Sequence, residues 1–255
     1  MGEKSIGMDR RQRLERDRSA LMRGALAVKD RFESFIAGRS VHGDPGIYDP
    51  RQFEWTRGFE AKWRTIRAEL DAVMTRRDQM PSFQEILAPV GAINQDDQWK
   101  TFWLAGMGMD CRENVARCPE TSRLLLTIPG MKTAFFSILA PGKHIPAHRG
   151  AYNGILRYHL GLIVPEPRER CRIRIGDRYH AWAEGESLIF DDSFNHEVWN
   201  DTDGYRVVLF VDFTRPLKGA WHNFNEGILR AGSVAPFLRQ ANRSQKRWAQ
   251  RFYKS

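Results

Sequence analysis

Cysteine is scarce in this chain. Only Cys111, Cys118 and Cys171 occur, with no CxxC pair and an odd thiol left over, so neither a zinc ribbon nor a disulfide framework is indicated. No apolar run approaches the length of about 20 residues that a membrane-crossing helix needs. The opening MGEKSIGMDRRQRLERDR carries charge with no apolar stretch behind it, which predicts neither a secretory signal nor an anchor and points to the reducing cytoplasm. Internal repeats and low-complexity segments are absent as well.

Acid is missing from one region. Gly227 to Ser255 holds Arg230, Arg239, Arg243, Lys246, Arg247, Arg251 and Lys254 without a single Asp or Glu, a large part of the net charge of +9. Such a tail suits an anionic partner or simply a solvated helix face. Its residues Leu238, Ala241, Trp248 and Phe252 lie opposite the arginines, an amphipathic pattern compatible with peripheral contact at an anionic inner-membrane surface. Nucleic acid is not expected, since the tail interleaves no aromatic platforms with its charges.

What remains is ample for a folded enzyme. The 255 residues, 42% of them hydrophobic, can bury a substantial core. Leu14, Leu21, Ala25, Val28, Phe32 and Ile36 recur at helical spacings and predict an amphipathic helix between Asp9 and Ile36. The turn formers of SVHGDPGIYDP end it at residues 40–50. Phe59, Trp63, Ile66, Leu70 and Val73 mark a second helical face that stops before Met80-Pro81. DDQWKTFWLAG fits a packed strand or a loop.

From Leu124 the pattern changes to short apolar or alternating runs: LLLTI, TAFFSIL, ILRYHLGLIV, CRIRI, YHAWA, SLIF, HEVWN and RVVLFVDF. Turn signals separate them, among them Pro141-Gly142, Gly176-Asp177 and Asp203-Gly204, at spacings too short for helices. About eight antiparallel strands in some ninety residues predict a sandwich or jelly roll. The expected organisation is a helical supporting region over 1–120, a β-core over 121–217 and a basic helical tail over 218–255.

Histidine concentrates in the β-core, at His144, His148, His159 and His196. Any one of them could be a buried imidazole satisfied by hydrogen bonds, but a jelly roll can also bring two strand-end histidines to one opening, where imidazole is a common iron ligand. The wording around two of them is specific: PGKHIPAHRGAYNGILRYHLGL and EGESLIFDDSFNHEVWNDTDGYRVVLFVDFTRP. These strings resemble the aspartyl/asparaginyl β-hydroxylase family of non-haem Fe(II), 2-oxoglutarate dioxygenases, which also includes bacterial hydroxylases acting on acyl chains of lipid A and of ornithine lipids. The resemblance is close from Phe135 to Pro216 and looser back to Phe53. It implies a mainly β, cupin-like double-stranded β-helix with helical flanks.

The resemblance assigns iron to His148 of the HRG triplet and His196 of FNHEVW. Many such oxygenases add a carboxylate two residues after the first histidine; here that position is Gly150, as in the aspartyl/asparaginyl enzymes, whereas the lipid A hydroxylases keep an aspartate. Asp191 and Asp192 sit in a predicted turn and Glu197 should point away from His196, so none is expected to substitute. Arg206 matches the family's 2-oxoglutarate arginine, and Ser137, Arg157 and His159 match further cosubstrate contacts. Arg157 and His159, two apart, share a strand face, where a buried cation would be costly unless an anion met it. O2 is the third participant, and the implied reaction turns an unactivated C–H bond into C–OH while 2-oxoglutarate becomes succinate and CO2.

Which C–H bond reacts is less constrained. In the animal enzymes an arginine two residues before Arg157 helps hold the substrate carboxylate; here it is Ile155. LRYHLGL is also closer to the lipid A hydroxylases, so the leading substrate is a membrane-lipid acyl chain. Asp or Asn, free, carrier-bound or in a peptide, is the alternative that Gly150 favours. A cupin-like small-molecule binder without oxidation is the alternative of another class.

Overall fold

A computed structural model describes residues 24 and 26–254, apart from Met107 and Val234. Two antiparallel sheets face each other. The larger has strand order β1 (Ile47–Tyr48), β8 (Ser187–Phe190), β5 (Ile155–Ile163), β10 (Arg206–Thr214), β3 (Met131–Leu139) and β2 (Trp99–Ala105). The smaller runs β4 (His144–His148), β9 (His196–Asn200), β6 (Cys171–Ile175) and β7 (Arg178–Ala181). This is the double-stranded β-helix expected from the sequence. Eight of the ten strands fall within 121–217, and β1 and β2 come from the region ahead of it; LLLTI, expected as a strand, instead ends a helix over Pro119–Leu125, and the eighth strand is β4, which Pro146 hides from the pattern. β2 occupies the DDQWKTFWLAG stretch that left strand and loop open.

The alternation of each strand sorts its residues between two cores. Phe136, Ile138, Leu156, Tyr158, Leu160, Val207, Leu209 and Val211 of the large sheet pack outward against helices. Phe135, Leu139, Leu188, Phe190, Val208 and Phe210 face inward and meet Ile173, Ile175 and Val198 of the small sheet. The polar residues of interest keep the same register: Ser137, Arg157, His159 and Arg206 all occupy inward positions of β3, β5 and β10.

The second helical stripe folds as two helices, α2 (Thr56–Ala61) and α3 (Trp63–Met74), broken at Lys62. Phe59, Ile66, Leu70 and Val73 are buried on the outer face of the large sheet, with Trp63 beside them. Of the first stripe, Leu14, Leu21 and Ala25 lie outside the described residues; a helix, α1, is present over 26–37. There Ile36 is fully buried but Val28 is 69% exposed, so the stripe is not a uniform core face.

The short helices α4 (Phe83–Ile86), α5 (Arg112–Arg117) and α6 (Pro119–Leu125) lie on either side of β2 in the chain, and after β10 come α7 (Ala220–Gly232) and α8 (Pro236–Lys254). The apolar side of α8 is consumed by the fold: Leu238, Ala241, Trp248 and Phe252 are all buried, and the Trp248 indole N–H donates to the Gln79 carbonyl. These residues are not available to enter a lipid phase, and apart from Phe237, 42% exposed in its first turn, what α8 shows to solvent is polar and charged. Among the described residues no helix is long and apolar enough to cross a membrane. If α8 is structural, Trp248→Ala should destabilise the whole protein by about 3–5 kcal/mol in chemical denaturation followed by tryptophan fluorescence and circular dichroism together; an unchanged midpoint would make α8 an appended tail.

Candidate active site

The two histidines of the HRG and FNHEVW strings meet across a strand pair. His148 ends β4 and lies opposite His196, which opens β9, and the ring centroids are 4.1 Å apart. The local sequence prepares this. Pro146 lacks an N–H, so the ladder is irregular between Ile145 and His148, as an edge strand tolerates. The Pro146 carbonyl accepts from His148 Nδ1 at 2.8 Å, and the Phe194 carbonyl accepts from His196 Nδ1 at 3.0 Å.

A carbonyl can only accept, so both Nδ1 atoms carry the proton and both Nε2 atoms hold a lone pair. That is the tautomer a metal-binding imidazole needs, with its orientation fixed by the second nitrogen. Burial lowers the pKa of both rings, with His196 pushed down to about 3 by desolvation, then by His148 and Arg157. Both are neutral at physiological pH, as ligands must be.

Gly150 is filled from outside. A Cβ built there would lie 2.3 Å from an Asp192 carboxylate oxygen, so Asp192 stands where a side chain at 150 would begin. The Gly150 N–H donates to the Asp192 carbonyl at 2.7 Å. The carboxylate itself is engaged by Arg157 at 2.9 Å, and Arg157 also binds Asp212 at 2.9 Å. The anions that meet Arg157 therefore come from the chain. Glu197 points to the outer face, as its parity requires, where it binds His144 and Arg174. Among the described residues no group of three or more His, Cys, Asp or Glu side chains is arranged to hold a metal.

Deeper between the sheets the opposite situation holds. Arg206 is 2% exposed, and its Nε and Nη1 have no hydrogen-bond partner. Its guanidinium lies over the Trp182 ring at 4.5 Å, and burial lowers its pKa to about 10. His159, packed among Trp182, Phe190 and Phe210, also has both ring nitrogens unpartnered; burial and then Arg206 hold its pKa well down. Ser137 Oγ accepts from the Trp99 indole at 3.0 Å, which leaves its own proton to give. A buried cation, a neutral imidazole and a hydroxyl with unused capacity fit a small dicarboxylate better than they fit each other.

The structure thus brings His148 and His196 together at one end and Ser137, His159 and Arg206 further in, with Arg157 joining the first group through Asp192. His144 lies on the outer face, and Tyr158 packs outward against Trp55 and Phe59; neither enters the site. Sequence reasoning missed Trp182 and the clamp made by Arg149, which donates to the Ser193 carbonyl and binds Glu33 of α1 at 2.9 Å. No local pattern marks Glu33, an acid on a helix more than a hundred residues away.

Fold and site define a jelly-roll protein with paired neutral imidazoles at its rim and an uncompensated guanidinium inside. A family model described as aspartyl/asparaginyl beta-hydroxylase matches residues 60–216. An ornithine lipid ester-linked acyl 2-hydroxylase of Rhizobium tropici is 43% identical over 92% of this chain and 84% of its own length. The aspartyl/asparaginyl beta-hydroxylase of Homo sapiens is 34% identical over 64% of this chain, which spans 21% of that protein. Among solved structures, a Pseudomonas putida prolyl-4-hydroxylase aligns with a TM-score of 0.40 at 20% identity, covering 60% of this chain and 88% of its own. The chain belongs to the aspartyl/asparaginyl β-hydroxylase family, and its class of activity is hydroxylation.

The Gly150–Asp192 contact has a direct consequence. Gly150→Asp alone should cost about 1–3 kcal/mol through overpacking and charge repulsion, read as a lower thermal midpoint. Adding Asp192→Gly should return most of that loss, because the new carboxylate can take over Arg157. A single substitution with no effect would mean that Asp192 does not stand against position 150.

Proposed function

We propose that this protein is an Fe(II)- and 2-oxoglutarate-dependent dioxygenase that hydroxylates an acyl chain of a membrane lipid. The observation that carries the oxygenase reading is the pairing of two Nε2-free imidazoles with a buried, unpartnered Arg206 and His159. His148 and His196 would hold the iron. Arg206 would bind the distal carboxylate of 2-oxoglutarate, with Ser137 and His159 donating to the same molecule and Arg157 fixing Asp192 beside the metal. When bound, the iron supplies the activation of O2 needed to break a C–H bond.

The remaining work belongs to the chain. His148 and His196 are oriented in advance by their carbonyl partners, and Trp182, Phe190 and Phe210 exclude water around His159. No side chain needs to move a proton: the balanced reaction is C–H plus O2 and 2-oxoglutarate giving C–OH, succinate and CO2.

Support for a lipid substrate comes from the Rhizobium relative, similar over nearly the whole chain, and from the charges near the iron end. Arg157 is neutralised by Asp192 and Asp212, Arg149 is bound to Glu33, and Ile155 stands where the animal enzymes have a substrate-binding arginine. A carboxylate-bearing substrate would find these two guanidinium groups already engaged.

Succinate formation from 2-oxoglutarate under air with Fe(II) tests the assignment. His196→Ala is expected to abolish both iron binding and turnover. Arg206→Ala should retain iron but raise the KM for 2-oxoglutarate about 30-fold or more, the effect of removing one partner of a buried charge pair worth at least about 2 kcal/mol. Absence of iron binding and turnover in the wild type would favour a cupin-like binding protein. Product formation from a free or peptidyl aspartate, with none from lipid, would establish the other family activity instead.

A further inference from the structure

A lipid substrate has to reach the barrel from a bilayer, and one face of the protein has the composition to receive it. α1 and α7 pack together there: Phe35 meets Trp221 edge-on at 4.9 Å, and Trp221 meets Phe224 at 5.8 Å. Val41 joins them, its N–H bonded to the Pro216 carbonyl ahead of α7. Here Trp221 is 39%, Phe224 46% and Val41 50% exposed. Isolated exposed apolar residues need no explanation, but a cluster containing Trp and Phe does.

Charge completes the pattern. The Arg39 guanidinium lies 3.4 Å from the Phe35 centroid and 4.7 Å from that of Trp221. Lys218 is exposed beside it and donates its N–H to the Arg39 carbonyl, and Arg31 and Arg230 are exposed on the same two helices. The nearby acids are engaged or turned aside. Glu33 binds Arg149 and Lys29, Glu226 binds Lys132 and Thr214, and Asp30 lines the cleft that faces Arg149.

The same helices hold the loop that follows His148. Tyr152 donates to Asn225 of α7 at 2.7 Å and stacks on Phe32 of α1 at 6.0 Å. A surface seated on α1 and α7 is therefore adjacent to the rim of the candidate site.

We propose that this α1–α7 face, and not the basic C-terminal helix, seats the protein on an anionic lipid bilayer. Trp221 and Phe224 enter the headgroup boundary, while Lys218 meets lipid phosphates. The proposal rests on the lipid reading of the site. α8 offers Arg239, Arg243, Lys246, Arg247 and Arg251, but its apolar side is buried and it exposes a single large apolar residue, Phe237, so it contributes charge without a clustered apolar patch.

Flotation of the full chain with vesicles tests this, using phosphatidylcholine alone and phosphatidylcholine mixed with phosphatidylglycerol, at low and high salt. The wild type should float with the anionic vesicles. Joint Trp221→Ala and Phe224→Ala should weaken partition about tenfold, and Lys218→Glu at least about fivefold. Joint Arg243→Glu and Arg247→Glu in α8 should leave it within about twofold, against the more than tenfold loss expected if α8 made the contact. Binding lost in the α8 variant and kept in the α7 variant would overturn the proposal, as would a wild type that ignores anionic vesicles. Succinate formation without lipid should be unchanged in the α7 variant, which also reports that it is folded. Failure of that reaction in the wild type would count against the dioxygenase reading while leaving the vesicle result to stand by itself.

Discussion

Arg157 held between Asp192 and Asp212 is the contact on which the rest of the site depends. A guanidinium cannot remain between two apolar sheets without compensation, and here two carboxylates from different elements supply it. β5, β10 and the turn between β8 and β9 are thereby tied together at the end where His148 and His196 meet. The arrangement also explains Gly150. With the Asp192 carboxylate lying against its Cα, any side chain at that position would collide with the group that neutralises Arg157. The missing carboxylate at 150 and the acid at 192 are two sides of one geometric solution.

Arg206 is the counterpart, a charge left without a carboxylate. Its burial over Trp182 and beside the unpartnered His159 costs stability in the ligand-free protein. Such a cost is characteristic of a binding site, where polar capacity is unspent until a ligand of matching charge arrives. The separation between a compensated cation near the rim and an uncompensated one inside is what divides the site into a metal end and a cosubstrate end. It follows from strand parity, since both arginines project inward from neighbouring strands but only one has acids within reach.

Around this core the helices do two different jobs. α2, α3 and α8 cover the outer face of the large sheet with Ile66, Leu70, Trp248 and Phe252, which is ordinary burial of an apolar surface. α1 and α7 act at the rim, where Glu33, through Arg149, ties the loop after His148 to the turn before His196. Their outer surfaces carry exposed aromatic residues and cations, consistent with a role at an interface and not only in the core.

Much of this was legible in the chain. Alternating runs after Leu124 predicted a sandwich or jelly roll, and the motifs around His148 and His196 marked the family and with it the double-stranded β-helix. The two-residue spacing of Arg157 and His159 put both inside, while the position of Glu197 next to His196 put it outside. These readings succeed because strand parity and motif spacing are local. Tertiary structure alone decided that Asp192 fills the space at Gly150, that Arg157 is neutralised from within, that Glu33 reaches Arg149, and that the apolar side of α8 is buried while Trp221 and Phe224 are exposed. Each joins or separates segments far apart in sequence, and a helix pattern states which face is apolar without stating what covers it.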